Sequence, residues 1–544
     1  MTWLSAILSL YSLVSSTSGA SSLLSLARDC RTLGERSQLP NATIHASEYV
    51  KAGTNLTFPF YDATCTLTSQ VIKSDICRLS FDVATSVNSS VRFEAWLPLD
   101  WSGRFLGVGN GGLGGCLKYD DINYGISQGF ATIGTNNGHD GNQGKQFYHH
   151  PGTVEDYAYR SVHLEAVLGK QIVWSYYGSH HKKSYYLGCS TGGRQGFKEA
   201  QEFPEDFDGI VAGAPAFDML ALFYWSGVLG KALGKPGSST YLNATDWSLI
   251  YDDILDQCDE LDGVKDGIID DPDLCQYRPE ALICSPSQKT GCLTGAKAET
   301  IRTILTPVYG PNGEFVYPRL QPGSNATDRF TSIAQPFGYL LDWMRYVVKD
   351  DPSWDPWTFT ANDWLELSAK DETGVSTWNG NLTRARDRGT RILHYHGLQD
   401  PLITSDNSAR YYNYVSRTMG LTSKEMDEFY RYFRISGLGH CRGGTGANKI
   451  GNNLDTFDTY EPETNVLAAI VDWVENGKAP EFIKGAQYAS GNKDLIGKRK
   501  HCRYPRRNVY IKGDPASPDS WRSFQLVDAF YTDQSENIVP AQRR

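Results

Sequence analysis

The 544-residue sequence predicts an α/β fold: a core of parallel strands interrupted by a large insertion. Three observations carry this. Gly188-Cys189-Ser190-Thr191-Gly192 is a G-x-S-x-G motif set between a β-prone run and a helical one. Asp400 and His440 follow it, and the order Ser, Asp, His is that of α/β-hydrolases. Ser190 and Asp400 lie 210 positions apart, where two or three βα units need roughly 100 residues. The surplus marks an inserted lid.

The elements follow in chain order. Trp3 to Val14 is mostly apolar and Ser18-Gly19-Ala20 is a small-residue cleavage site, so residues 1–20 read as a signal peptide, with no Lys or Arg ahead of the apolar run. Val91 to Leu97 alternates as a strand does. Arg104 to Val108 is the next strand and runs into Gly109-Asn110-Gly111-Gly112-Leu113-Gly114-Gly115. Such a loop brings backbone N–H groups close to a ligand, either a phosphate or an oxyanion. It lacks the lysine of a nucleotide P-loop. Asp156 to Tyr177 has helical spacing. Ser184 to Leu187 is a strand ending at the G-x-S-x-G turn, Gly192 to Phe203 the helix after it, and Ile210 to Gly213 the next strand. Residues 222–388 form the lid, with four closely spaced cysteines, an acidic loop and many aromatics. Arg391 to Tyr395 resumes the core, Phe429 to Phe433 adds a strand, and Asn465 to Asn476 is the last helix. The catalytic domain is therefore residues 21–221 with 389–544.

A net charge of −10 argues against a general affinity for nucleic acid. The one basic run, Lys498 to Arg503 with Arg506-Arg507, reads as a solvated surface. Beyond the leader no stretch is long and apolar enough to span a bilayer, so no membrane partner is expected. Six N-x-[ST] sequons, at Asn41, Asn55, Asn88, Asn243, Asn325 and Asn381, join eleven cysteines in predicting a secreted, oxidised protein. The odd cysteine count leaves at least one thiol over.

A serine hydroxyl is a poor nucleophile until a base takes its proton. His440 is the candidate base for Ser190, and Asp400 the group that orients its imidazole. The backbone N–H of Thr191 is one candidate oxyanion donor, and Gly111 or Gly112 supplies the second. Cysteines stand beside both partners, Cys189 before Ser190 and Cys441 after His440. If they are bonded, their Cα atoms lie about 4.4–6.8 Å apart and hold serine and histidine in proton-transfer range. The pairs His149-His150 and His180-His181 lack i,i+4 spacing, and with neither H-E-x-x-H nor C-x-x-C the reading is not of a zinc hydrolase. The stretch from Cys258 to Ile268 is different. Side chains of Asp259, Asp262 and Asp266, with backbone carbonyls of Val264 and Ile268, can wrap a hard cation, although the pattern is not an EF-hand.

Gly188 to Gly196, Asp206 to Pro215 and Gly439-His440-Cys441-Arg442-Gly443-Gly444 resemble the fungal tannase/feruloyl esterase family over nearly the whole mature chain. The resemblance implies an α/β-hydrolase core with a lid, hydrolysis of phenolic-acid esters, catalytic roles for Ser190, Asp400 and His440, and a Cys189–Cys441 disulfide. It further implies a structural Ca2+ at the acidic loop and disulfides Cys30–Cys77, Cys65–Cys116, Cys258–Cys275 and Cys284–Cys292. Cys502 is left alone, because Ser523-Phe524-Gln525-Leu526 offers no partner where relatives have a cysteine. It reads as a free thiol or an intermolecular one.

The expected activity is release of ferulic or related hydroxycinnamic acids from plant cell-wall esters. The alternatives are a tannase cleaving galloyl esters and a related carboxylesterase of secondary metabolism. A non-catalytic binding protein is the reading from another class, and the intact Ser-Asp-His set opposes it. Phe223-Tyr224-Trp225, Trp343, Trp354, Trp357 and Trp364 are candidates for an aromatic slot, most of them reading as lid core. Because the acidic loop lies away from the triad in sequence, chelation is expected to lower thermal stability with little direct effect on chemistry.

Overall fold

The computed structural model describes residues 29–525 apart from 59–61, 289, 325, 327–328, 331–336, 372, 457–458 and 490–493. The expected signal peptide and the sequon at Asn325 lie outside the described residues. The other five sequon asparagines are exposed.

Nine strands form the central sheet. They are β1 (Ala42–Val50), β2 (Ile76–Ser86), β3 (Ser89–Pro98), β4 (Arg104–Val108), β5 (Ala131–Thr135), β6 (Lys183–Cys189), β7 (Gly209–Gly213), β8 (Arg391–Gly397) and β9 (Tyr430–Ile435). Their order across the sheet is β1-β2-β3-β5-β4-β6-β7-β8-β9. The first three strands and β5 pair antiparallel, and from β5 to β9 every pairing is parallel. Both faces of the parallel half are covered, so β5 and β7 are buried at every position. The sheet and its helices are the α/β-hydrolase arrangement the sequence predicts.

The helix expected over 156–177 starts earlier and is interrupted. Pro151–Glu155 is helical, Asp156–Arg160 is a single π turn, and α1 runs from Ser161–Tyr177. At this turn the buried Asp156 carboxylate takes hydrogen bonds from Thr85 Oγ1 (2.8 Å) and Arg160 Nε (2.6 Å). Helix α2 (Thr191–Glu202) follows the G-x-S-x-G turn. Helix α3 (Met219–Leu233) begins just ahead of residue 222 and carries the chain into the insertion. Among the described residues the insertion's apolar core is continuous with that of the catalytic part. Its Trp225, Trp343 and Tyr317 join one apolar cluster with Leu113, Phe147, Tyr157 and Ile403 from the catalytic part.

The basic run is not a solvated surface. It forms a strand, Leu495–Cys502, in which Arg499 and His501 are buried and alternate with the more open Lys498 and Lys500. The five disulfides are Cys30–Cys77, Cys65–Cys116, Cys189–Cys441, Cys258–Cys275 and Cys284–Cys292. Cys502 is unbonded and buried, which removes the intermolecular reading. Burial pushes its thiol up to about 11, with the Ser523 hydroxyl pulling the other way. Among the described residues no helix is long and apolar enough to cross a membrane.

Candidate active site

Four segments converge at the carboxyl ends of neighbouring parallel strands. The glycine-rich loop follows β4, Ser190 follows β6, Asp400 lies three residues beyond β8, and His440 lies five beyond β9. In an open α/β sheet this edge is where ligands bind. Ser190, His440 and both bridge cysteines line one cavity of about 610 Å3.

Ser190 sits at φ 67, ψ −121, a region that ordinary residues enter only under strain. The turn is sharp because its glycines let backbones touch. A Cβ on Gly188 would fall 2.6 Å from the Gly192 carbonyl oxygen, and one on Gly193 would fall 2.2 Å from that of Gly213. The strained turn is clamped from the side by the disulfide, which holds Cys189 and Cys441 Cα atoms 6.0 Å apart. Cys441 also has a left-handed φ, 61°.

The glycine-rich loop is fixed to the start of α2. Gln195 Oε1 accepts the Asn110 N–H (2.9 Å), and Gln195 Nε2 donates to Asn110 Oδ1 (3.0 Å). Thr191 Oγ1 donates to the Gly112 carbonyl (2.5 Å), as does Tyr157 OH (3.2 Å). Gly112 has φ +62 and lies against Asn142 and Tyr339. The Cys65–Cys116 bridge anchors the far end of the loop. Among the described residues, the N–H groups of Gly111, Gly112 and Thr191 have no acceptor, while that of Gly109 donates to the Leu187 carbonyl of β6 and that of Gly192 to the Asn110 carbonyl.

Asp400 is fully buried and takes four donors. Its Oδ1 accepts the N–H groups of Leu402 (2.8 Å) and Ile403 (3.0 Å). Its Oδ2 accepts His440 Nδ1 (2.6 Å) and His396 Nε2 (3.1 Å). Burial by itself would raise its pKa; the His440 charge and the hydrogen bonds from His396 and His440 outweigh that and hold the carboxyl well below the usual range. His396 was not singled out from sequence. Its Nε2 faces two acceptors, Asp400 Oδ2 and the Ile403 carbonyl (3.0 Å), so it carries the proton. Its Nδ1 then accepts from Ser408 Oγ (2.7 Å), which accepts from His394 Nε2 (2.9 Å), whose Nδ1 accepts from Tyr430 OH (2.9 Å). Burial keeps His394 neutral, as this chain of donors requires. A lid residue adds a clamp: buried Arg329 donates to the carbonyls of Pro401 and Leu402 and to Ser226 Oγ.

Of the aromatics considered from sequence, Phe223 lines the cavity, whereas Trp225 and Trp343 are lid core. Phe337, Tyr339, Met219 and Leu402 are among the other apolar residues of its wall, and Asn142 Nδ2 donates to Tyr339 OH (2.9 Å).

The acidic loop has the donors a hard cation needs. Asp259 and Asp262 are buried, and their carboxylates accept only backbone N–H groups. Arg499 is the cation facing the loop, bonded to Asp266 and Asp270 (2.6 Å to the latter). Burial first and Asp270 second push Asp262 up to about 7. Among the described residues no donor reaches the carbonyl oxygens of Val264 or Ile268. The loop is remote from the triad in sequence but not in space. The Ile268 side chain packs on Gly446, where a Cβ would meet it at 2.9 Å. Thr445 is tied in turn to Gln399, the neighbour of Asp400, by hydrogen bonds of 2.8 and 2.9 Å.

The family model described as "Tannase and feruloyl esterase" matches residues 74–524. The chain belongs to the tannase and feruloyl esterase family. It is 50% identical over 497 residues to a probable feruloyl esterase B-2 of Aspergillus fumigatus, covering 90% of this chain and 94% of that one. Two solved structures from Aspergillus oryzae superpose on it. An esterase has a TM-score of 0.90 at 48% identity, and a feruloyl esterase B 0.89 at 44%; each alignment covers 92% of this chain and all of the other. This member of the family is accordingly a carboxylesterase.

Proposed function

We propose that the protein is a secreted serine esterase that releases ferulic and related hydroxycinnamic acids from plant cell-wall esters. The observation that carries this is the single cavity in which Ser190 and His440 meet an aromatic wall of Phe223, Phe337 and Tyr339. Relatives named feruloyl esterase support the substrate class.

In this reading Ser190 Oγ attacks the ester carbonyl as its proton passes to His440. The imidazolium is stabilised by Asp400 and gives the proton to the departing alcohol. Thr191 N–H and a free N–H of Gly111 or Gly112 receive the negative oxygen. Water, deprotonated by His440, then cleaves the acyl-enzyme and the serine regains its proton. The aromatic wall stacks the phenolic ring, and Asn142 with Tyr339 offers polar contacts to its hydroxyls. Initial rates on methyl ferulate, caffeate, p-coumarate, sinapate and gallate test the reading. Cinnamate turnover supports it; turnover of gallate alone makes the protein a tannase and overturns it.

His396 is a positioning residue here, since it touches Asp400 and not substrate. A hydrogen bond to a charged group is worth about 1.5–3 kcal/mol, or roughly 10–100-fold in rate. His396→Ala is therefore expected to lower kcat by that factor with KM little changed. Equal loss in kcat and yield of folded protein would reduce the residue to core packing.

Ca2+ belongs to the same proposal. Asp259, Asp262 and Asp266, with the carbonyls of Val264 and Ile268, would hold it, and its role is structural. Chelation, verified by metal analysis, is expected to lower Tm by several degrees. Because Ile268 packs on the segment following His440, a few-fold fall in kcat should accompany it, reversed by added Ca2+. An unchanged Tm would remove the ion from this loop. Secretion and glycans on the exposed sequons are proposed as well, and an endoglycosidase-sensitive mass would report the glycans.

A further inference from the structure

We propose that His163, Glu199 and Asp206 form a second metal site, suited to a borderline divalent ion of the Zn2+ class and distinct from the acidic loop. The three come from separate elements. His163 lies in the first turn of α1, Glu199 near the end of α2, and Asp206 in the turn leading to β7. One ligand atom from each lies within 4.8 Å of the other two. His163 Nδ1 is 2.6 Å from Asp206 Oδ2, and its ring is fixed by stacking on Phe203 at 4.1 Å and 20°.

Glu199 points to an ion. It is 1% exposed, its carboxylate oxygens take no N–H donor among the described residues, and it lies against the like-charged Asp206 carboxyl. A carboxylate taken from water without a donor costs several kcal/mol. Glu165 of α1, close enough for its charge to act on Glu199, compounds the problem. It is fully buried; one oxygen accepts the Val108 N–H at 2.8 Å and the other has no donor. The nearby ammonium, Lys170 Nζ, bonds backbone carbonyls of Asp206 and Glu205 rather than these carboxylates. Glu199 thus has two further buried carboxylates beside it, Asp206 and Glu165, with Lys170 as the nearby cation, and a divalent ion would balance them. The His163 side chain is 33% exposed and gives an ion its route in.

The donor set selects the ion. One imidazole and two carboxylates suit Zn2+, whereas all-oxygen sites suit Ca2+ and Mg2+. Bonds of about 2.0–2.2 Å would replace the His163–Asp206 hydrogen bond and spread those two atoms by less than about 1 Å. A bound ion would tie α1 and the β7 turn to the helix that begins at the nucleophile. It would brace that helix and take no part in ester cleavage. No motif announces the site, because its ligands are scattered along the chain rather than clustered.

The test uses the full mature protein, stripped of metal and then supplied with Ca2+ to saturate the acidic loop. Zn2+ is titrated by equilibrium dialysis with metal analysis, and Tm is read in parallel. One Zn2+ per chain and a rise in Tm of several degrees are expected. His163→Ala and Glu199→Gln should each weaken binding at least 100-fold and abolish the Tm response. Absence of stoichiometric Zn2+ in wild type overturns the proposal. So does full binding retained by His163→Ala, which would place the ion elsewhere. A Glu199→Gln protein as stable as wild type, with wild type indifferent to Zn2+, would mean that a proton and not a metal neutralises Glu199. Should Glu199→Gln fail to fold, His163→Ala decides alone, its side chain being partly solvent-exposed.

Discussion

Ser190→Ala is expected to lower kcat on methyl ferulate by about 10⁴–10⁶-fold, the scale reached when a serine hydrolase loses its nucleophile. The fold should not suffer. Alanine meets the same backbone strain at φ 67, so Tm should stay near that of wild type. Ser190→Gly makes a sharper control. Glycine enters this region without penalty, so the variant should be as inactive as alanine yet more stable, by about 1 kcal/mol. Retention of turnover in either variant would show that another residue is the nucleophile. Loss of Tm in both would show that the serine is structural.

The second large effect is expected from cutting the bridge beside the site. Cys189→Ala with Cys441→Ala opens a loop spanning 252 positions, for which chain entropy alone gives about 5 kcal/mol, the upper end of the usual range. The other four bridges remain, so folded protein should still be recovered. What changes is the register between two strained residues, Ser190 at φ 67 and Cys441 at φ 61, each adjoining or forming part of the bridge. Misplacement by about 1 Å costs on the order of 100-fold in rate. The expected result is a kcat loss of that size, at a temperature well below the lowered Tm, with KM less affected. Wild-type kcat at that temperature would mean that the bridge stabilises the fold and positions nothing.

The strand–turn–helix around Ser190, the strand before Asp400 and the final helix were legible because each joins a local pattern to a turn residue. Asn465, for example, caps Val466–Asn476 with its side chain. The relay behind Asp400 was visible only in part. His394 and His396 alternate along β8 and so share a face, but nothing local says that Ser408 sits between them. The basic run misled for a related reason. Charge per residue is the same on either face of a strand, and only the sheet decides that Arg499 turns inward to Asp270. The contact of Ile268 with Gly446 joins segments nearly 180 positions apart, a separation that no sequence window spans.

The insertion shares its apolar core with the catalytic part, and that has a kinetic consequence. A flap that swings needs an interface it can leave, whereas Trp343 and Tyr157 belong to one cluster. The catalytic cavity is therefore expected to stay open, with no flap to move aside. Progress curves should start without a lag, and neither detergent nor an oil–water boundary should be needed to switch the enzyme on. In that respect it should behave as an enzyme for dissolved or fibre-bound esters and unlike lipases that wake at a lipid surface.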